Sequence, residues 1–221
     1  MRLKKIIAAL LIAVLSVSVL VSCENDREYN ETEVILAAES LIKKSEPLNE
    51  IYYGKGFLFT ETGSGIYKKI DSLECERYGI HTIDALKERT FEVFSTDRAE
   101  LMFSTHLSSI QDEDGNILHY ARYYQHTSGD ESYIMVNGIY EYSMTNRTVY
   151  DYSGISVYDV EGEIIIVSVP VTLIRTDGKE KRTELKIKLI EESKGWRICS
   201  ASHAVYDENS DAYEDLLNQI K

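Results

Sequence analysis

The pattern of apolar and polar positions divides this 221-residue chain into a helical part followed by a strand-rich part. Between residues 34 and 42, apolar side chains recur at the spacing of one helical face, and Lys43-Lys44 place positive charge where a helix C-terminus favours it. Pro47 is placed as at the start of a helix, which predicts a break before it and a second, short helix through Asn49 to Tyr53. Gly54 closes that helix.

Two further helices are predicted after a glycine-rich turn. Thr82 has the side chain of an N-cap, and it precedes a helical stripe between residues 83 and 94. Ser95 or Thr96 offers the next N-cap, and the apolar spacing continues this helix through Leu107.

The chain changes character after residue 117, because apolar and polar residues then alternate with turn residues between them. This pattern predicts strands joined by hairpins, with an Asp-Gly turn at residues 177–178. The expected partners are residues 118–125 with 132–136, residues 155–160 with 163–175, and the two strands that flank the Asp-Gly turn.

The last predicted strand runs from Trp196 to Val205, and a weak, acidic helix from Asp211 to Ile220 follows it. Helices therefore come first and a long antiparallel meander follows. Segregated elements of this kind indicate an α+β fold. We expect a curved antiparallel sheet with the N-terminal helices packed on its inner face.

The first 22 residues have the pattern of an export signal. Three positive charges precede an uncharged run from Ile6 to Val21, which is short for a membrane span and suits a signal-peptide core. The sequence Leu20-Val21-Ser22-Cys23 resembles the bacterial lipobox. That resemblance implies cleavage between Ser22 and Cys23 and acylation of Cys23, with palmitate-type chains. An ordinary signal peptide with a chance cysteine and a retained membrane helix are the alternatives.

The sequence thus predicts three segments: a lipoprotein signal peptide at 1–22, a flexible polar tether at 23–32, and a single α+β domain at 33–221. The expected location is the extracytoplasmic face of the cell membrane, where acyl chains on Cys23 anchor the chain.

Charge limits the partners that this protein can have. Removal of residues 1–22 takes away three positive charges, so the formal net charge goes from −13 to −16. Such acidity argues against nucleic acid and against anionic polymers as nonspecific partners. Beyond Cys23 only Cys75 and Cys199 remain, and the sequence leaves open whether they form a disulfide.

The order of elements resembles the nuclear-transport-factor-2-like, or cystatin-like, cone folds. The closing sequence Gly-Trp-Arg-Ile at residues 195–198 is common in extracytoplasmic members of that superfamily. The segment from Leu48 to Phe57 is also similar to one in lipoproteins of Gram-positive anaerobes. The resemblance spans roughly residues 33–205 and implies a concave pocket. It implies no particular chemistry, because the superfamily contains enzymes, binding proteins and assembly modules.

No motif in the sequence identifies a catalytic or metal site. Histidine and cysteine spacings of metal sites are missing, and we expect no metal and no cofactor. Cys199 and His203 fall on one face of the last predicted strand, too far apart for a thiolate–imidazole pair. Residues that an enzyme of the cone type would use include Tyr52, Tyr53, Asp84, His119, Tyr120 and Tyr124.

Two classes of function remain. The first is a non-enzymatic module that binds a small ligand or an envelope protein, including a wall enzyme that it would regulate. Its candidate binding residues are Tyr53, Tyr120, Tyr124 and Trp196, and the membrane is a partner through the acyl chains. The alternative is a small-molecule hydrolase or isomerase of the cone type that uses an acid–base group in its pocket.

Overall fold

The computed structural model describes residues 29–60, 65–112, 114–141, 144 and 146–204. The predicted signal peptide, Cys23 and the predicted helix at 211–220 lie outside these ranges. The described residues from Glu31 onward form one compact unit. The helices of this unit are α1 (Glu31–Tyr52), α2 (Ser72–Tyr78), α3 (Ile83–Val93) and α4 (Thr96–His106).

The strands follow mainly after the helices and pair in antiparallel fashion. One sheet has the order β1-β5-β4, a second is the pair β2-β3, and the largest has the order β10-β9-β8-β6 with β7 also paired to β8. Their bounds are β1 (Tyr67–Lys69), β2 (Ile110–Gln111), β3 (Ile117–His119), β4 (Tyr123–Ser128), β5 (Glu131–Asn137), β6 (Asn146–Tyr150), β7 (Ser156–Glu161), β8 (Ile164–Arg175), β9 (Glu180–Glu192) and β10 (Gly195–Ile198).

The antiparallel strands curl into a half-barrel, and the helices lie against it. The predicted α+β class with a curved antiparallel sheet is therefore confirmed. The core forms between the helices and the inner face of the sheet, where β8 and β9 contribute alternate apolar residues. Across this core α1 contacts β7 and β10, and α3 contacts β4 and β10.

Strand β8 is a central strand of the largest sheet, because it pairs with β9 along one edge and with two strands along the other. Residues 164–168 pair with β7 and residues 171–175 pair with β6. Pro170 lies where the partner changes, and its carbonyl accepts a hydrogen bond from Asp151 N at 2.9 Å. A proline has no N–H to offer the ladder, so this junction tolerates it.

The predicted break at Pro47 is wrong, because α1 runs without interruption through it. An internal proline costs a helix about 3 kcal/mol or more. Leu48, Ile51 and Tyr52, in the turn that follows, are at most 3 % exposed. Burial of such side chains contributes about 1.5–3 kcal/mol each, which outweighs the cost of the proline.

The predicted strand at 196–205 is also too long, because β10 ends at Ile198. Beyond it Ser200 Oγ, rather than a backbone carbonyl, accepts a hydrogen bond from Lys188 N at 2.9 Å. The earlier placement of Cys199 and His203 on one strand face is therefore wrong. The side chains that hold this segment instead belong to α1 and β6 and are described below.

The predicted strand at 118–125 is divided in the structure. Its first residues belong to β3 and its last residues belong to β4, and residues 120–122 between them belong to no strand. Arg122 N donates to His106 O at 2.8 Å, so this segment is fixed to the end of α4. Alternation alone could not reveal the interruption, because the residues on both sides keep a strand-like pattern.

The predicted helix caps are largely confirmed. Thr82 Oγ1 accepts a hydrogen bond from Ala85 N at 3.1 Å and caps α3. Ser95 is the N-cap residue of α4, although its side chain makes no capping hydrogen bond. The hairpin at residues 177–178 is present, since β8 and β9 pair across it.

Candidate functional site

An open groove of about 880 Å³ lies between the C-terminal third of α1 and the ends of β6 and β8. The loop after α1 and the short helix α2 complete its walls. Most of the lining side chains are polar or charged. They include Glu46, Asn49, Glu50, Lys55, Glu74, Arg77, Tyr78, Asn146, Arg147, Thr148, Tyr150, Arg175 and His203.

His203 is buried and lines the groove, and we call it the groove floor. It lies in the segment Ser202–Ala204, which belongs to no strand. Asn49 Nδ2, from α1, donates to Ser202 Oγ at 3.0 Å, and Asn146 Nδ2, from β6, donates to Ala204 O at 3.1 Å. The Tyr150 hydroxyl donates to Ser202 O at 2.7 Å. These three side chains fix the segment on both sides of His203, so its imidazole has a defined place at the floor.

Two carboxylates of α1 form the helix wall. Glu46 accepts a hydrogen bond from the Tyr152 hydroxyl, and burial together with this carboxylate raises the pKa of Tyr152. Glu50 Oε1 accepts a hydrogen bond from Lys55 N at 2.9 Å. A side chain at Gly54 would meet the Glu50 carboxylate, so the glycine leaves room for that carboxylate to fold back on the loop.

The α2 wall combines an acidic and a basic side chain. Glu74 is buried, and its Oε2 accepts a hydrogen bond from Leu58 N at 3.4 Å. Its other oxygen lies 3.3 Å from Arg77 Nη1 in an i, i+3 ion pair. Arg77 also lies over the ring of Tyr78, with 5.2 Å between the guanidinium carbon and the ring centroid. The Arg77 guanidinium is thus engaged within its own wall.

The strand wall carries two arginines at the ends of paired strands. Asn146 pairs with Arg175 and Arg147 pairs with Ile174, so the guanidinium groups start from opposite faces of the sheet at its end. Arg175 Nη2 lies 3.1 Å from Asp177 Oδ2. The strand wall thus carries two positive charges, one of which is paired with Asp177, whereas the α1 wall carries two negative charges.

Behind His203 lies a group of polar side chains that we call the inner polar cluster: Tyr53, Arg98, His106, Arg122 and Tyr140. The ring of His203 stacks on Tyr53 with 4.3 Å between centroids. Arg98 Nη2 donates to the Tyr53 hydroxyl at 3.1 Å. His106 Nδ1 lies 3.1 Å from the Tyr140 hydroxyl, and its ring contacts Tyr53 edge-on at 5.0 Å.

Arg122 is the most buried cation of the described chain, with 2 % of its surface exposed. Its guanidinium donates to Tyr52 O at 2.7 Å and to Gly54 O at 2.6 Å, at the C-terminal end of α1. The Tyr123 hydroxyl donates to Ile51 O at 2.8 Å beside it. Cations and donors favour a helix C-terminus because its carbonyls carry partial negative charge. Together these two residues cap α1, whose last turn has no basic residue of its own.

Both buried histidines are held in the neutral form. Burial and the nearby Arg122 charge lower the pKa of His106 to about 3. Burial and the Arg98 charge lower the pKa of His203 to about 4. At neutral pH the groove floor therefore presents an uncharged imidazole, which can donate from one ring nitrogen and accept at the other.

The structure separates the four predicted binding residues. Tyr53 lies behind the floor in the inner polar cluster, and Trp196 lies on β10, partly buried against the core. Tyr120 and Tyr124 come together on the outer side of the β1-β5-β4 sheet through Tyr67. The ring centroid of Tyr67 lies 6.5 Å from that of Tyr120 and 4.6 Å from that of Tyr124.

The other residues considered for catalysis are dispersed as well. The Tyr52 hydroxyl lies 3.0 Å from Thr90 Oγ1 inside the core, and burial raises the pKa of Tyr52. His119 Nε2 donates to Thr105 O at 3.2 Å. Asp84 lies in the first turn of α3 and is exposed. These residues do not form one site.

Sequence reasoning missed the residues that build the groove. One signal for it was present: Glu46 and Glu50 place two acids on the last two turns of a helix, where negative charge is unfavourable. The hydrogen bonds of Asn49 to Ser202 and of Asn146 to Ala204 leave no signal in the local sequence. Each joins residues more than fifty positions apart along the chain.

Comparison with known proteins gives no further assignment. No protein-family model matches this chain, and no curated protein matches it. Within the described residues, no group of three or more His, Cys, Asp or Glu side chains could hold a metal ion. Cys75 and Cys199 are both free thiols of intermediate exposure, and burial raises the pKa of each.

Proposed function

We propose that this protein is a membrane-anchored extracytoplasmic lipoprotein that acts as a non-enzymatic binding module at the cell envelope. The groove above His203 is its binding site for a ligand or for a partner protein, including a wall enzyme that it regulates. One observation carries this proposal: the groove floor is fixed by Asn49, Asn146 and Tyr150. Preorganisation of this kind lowers the cost of binding.

The proposed fold is the nuclear-transport-factor-2-like cone. The curled antiparallel sheet, the N-terminal helices and the open groove between them support it. In such a fold the groove corresponds to the concave pocket that the resemblance implies.

The proposed anchor is a pair of signals at the N-terminus, the apolar run from Ile6 to Val21 and Cys23 after it. None of the helices among the described residues is long and apolar enough to cross a membrane. A Cys23→Ser variant of the full chain is expected to lose membrane association and to stay uncut. Unchanged fractionation and processing would show that acylation at Cys23 is not the anchor.

Binding is favoured over catalysis because contacts within the protein position each groove carboxylate and leave its remaining acceptor capacity to a ligand. Glu46 binds Tyr152, Glu50 binds Lys55 N, and Glu74 binds Leu58 N and Arg77. A general acid or base needs a reacting proton within hydrogen-bond reach and a suitable pKa. His203 favours the alternative, a hydrolase or isomerase, because a neutral imidazole at a groove floor can act as a base.

Capture from an envelope extract tests the proposal. The full chain is expected to retain a ligand or protein, and Thr176→Trp, which places a large ring at the groove, should abolish retention. Thr183→Trp is the matched control, because Thr183 is also exposed, lies on β9 and is not part of the lining. If Thr176→Trp leaves capture unchanged, the groove is not the binding site. Turnover of a captured small molecule, lost in His203→Gln, would establish the enzyme instead.

A further inference from the structure

The two long walls of the groove differ in charge, while the loop after α1 and the α2 wall add Lys55, Glu74 and Arg77 to the lining. Glu46 and Glu50 line the α1 wall, whereas Arg147 and Arg175 line the end of the sheet opposite. A ligand with only one sign of charge would be attracted to one wall and repelled by the other. The arrangement fits a ligand that carries opposite charges at its two ends.

The two acidic residues of the α1 wall lie at positions where negative charge destabilises a helix. Glu46 and Glu50 are spaced i, i+4, so they repel each other, and they lie toward the negative end of the helix dipole. Two turns earlier, Glu39 and Lys43 use the same spacing for a favourable ion pair. Residues that break a local rule in this way are expected at functional positions.

Both carboxylates are positioned and retain capacity to accept further hydrogen bonds. The Tyr152 hydroxyl holds Glu46, and Lys55 N holds Glu50 through Oε1 alone. An ionised carboxylate offers about four acceptor sites. Each side chain can therefore accept from an ammonium group without release of the contact that positions it.

We propose that the groove binds a short zwitterionic peptide, and this inference rests on the proposed function. The peptide ammonium lies at Glu46 and Glu50. Its terminal carboxylate lies at the end of the sheet against Arg175, which shares a face with Asn146, and Arg147 adds attraction from the other face. The groove volume of about 880 Å³ is near the upper end of small-ligand sites, which suits several residues rather than one amino acid. Thr148 and His203 also line the groove, with groups that can bond to peptide N–H and C=O.

The probes are three forms of one peptide: tetra-alanine, N-acetyl-tetra-alanine and tetra-alanine amide. Their affinities for the full-length protein are measured by titration calorimetry at low and high salt. Loss of one charge-assisted hydrogen bond weakens binding by about tenfold or more. We expect the free peptide to bind most tightly, each blocked form to bind at least about tenfold more weakly, and salt to reduce the difference.

Matched variants assign each end of the peptide to its wall. Glu46→Gln with Glu50→Gln should bind free and N-acetyl peptide equally while it still discriminates against the amide. Arg147→Gln with Arg175→Gln should show the reverse pattern. Glu39→Gln and Arg182→Gln are the controls, since each removes one charge outside the lining. Glu39 lies on α1, and Arg182 lies on β9, next to β8. Because discrimination between peptides is compared within each variant, a general loss of stability cannot mimic the result.

Equal affinity of the wild-type protein for all three peptides overturns the proposal. So does discrimination that survives both double variants. If no form of tetra-alanine binds but Thr176→Trp abolishes capture from the envelope extract, the peptide assignment is wrong and the binding function stands. If neither peptide nor extract responds to the groove variants, both proposals fail.

Discussion

The groove and the inner polar cluster both contain charged side chains, but the cluster pairs its charge inside the fold and the groove presents its charges to a ligand. In the cluster, Arg122 is buried and its charge is met by backbone carbonyls at the end of α1. In the groove, Glu46 and Glu50 are held by single hydrogen bonds and keep capacity for more. Burial of a charge is costly unless it is paired, so the cluster stabilises the fold only while complete. In the groove, repulsion between Glu46 and Glu50 lowers the stability of the fold, and both charges stay available to a ligand.

The largest effect should follow removal of the Arg122 cap. Arg122→Met keeps most of the volume but removes both donors, so Tyr52 O and Gly54 O lose their partners. Each unmet buried acceptor costs about 1–3 kcal/mol, and we expect the free energy of unfolding to fall by roughly 3 kcal/mol. Urea denaturation measures the change.

The control for this variant is Arg182→Met on β9, which is exposed and should change stability by no more than about 0.5 kcal/mol. A similar loss in both variants would contradict the assignment of Arg122 as the cap of α1.

The next largest effect is expected in the pH dependence of the free energy of unfolding, through His106 of the inner polar cluster. The folded state keeps His106 neutral down to about pH 3, whereas the unfolded chain takes up the proton near pH 6.5. The unfolded state therefore binds more protons between these values, and stability is lost as pH falls through this window. The slope attributable to His106 is about 1.4 kcal/mol per pH unit at most.

His106→Gln removes this proton uptake, so its stability should fall less steeply than that of the wild type between pH 6 and pH 4. Denaturation at several pH values gives the two slopes. His81→Gln is the matched control for the loss of a histidine, since His81 is exposed. Parallel profiles for wild type and His106→Gln would refute the neutral buried histidine.

A smaller effect is expected at the second member of the cap. Tyr123→Phe removes one hydroxyl from Ile51 O and should cost about 1 kcal/mol in thermal or urea unfolding. Tyr124→Phe, next along the chain, should be near neutral, because no hydrogen bond of its hydroxyl occurs within the described residues. Equal costs at the two positions would mean that the hydroxyl does not cap the helix.

The smallest effect has the opposite sign and belongs to the groove. Glu46→Gln keeps an acceptor for Tyr152 but removes the repulsion from Glu50, so stability should rise by about 0.3 kcal/mol. Glu39→Gln should instead lower it by a similar amount, because Glu39 pairs with Lys43. High-precision chemical denaturation compares the two. A loss of stability in Glu46→Gln would show that the groove acids serve the fold.

Much of the fold followed from local pattern. The cap at Thr82, the hairpin at residues 177–178 and the long strands β8 and β9 were all predicted, because turn chemistry and alternation are local signals. Predictions were wrong where contacts between distant segments outweighed local sequence preferences. Packing of α1 overrode Pro47, and the contacts of Asn49 and Asn146 took the segment after Ile198 out of the last strand.

The candidate site was less predictable than the fold. Tyr53 was singled out for its residue type and lies directly behind the groove floor, whereas Tyr120, Tyr124 and Trp196 lie on other surfaces. Residue type indicates what a side chain can do but not which way it faces. The groove depends on contacts such as Asn49 with Ser202, which join residues 153 positions apart.

The sequence by itself determined the class of fold and the acidity of the chain, because periodicity and charge are properties of neighbouring residues; the lipobox-like signal at Cys23 stays a prediction. The tertiary structure alone decided that α1 continues through Pro47, that Arg122 caps it, and that His203 forms a groove floor. These features arise from burial and from hydrogen bonds between distant segments, and their free energies exist only once the chain has folded.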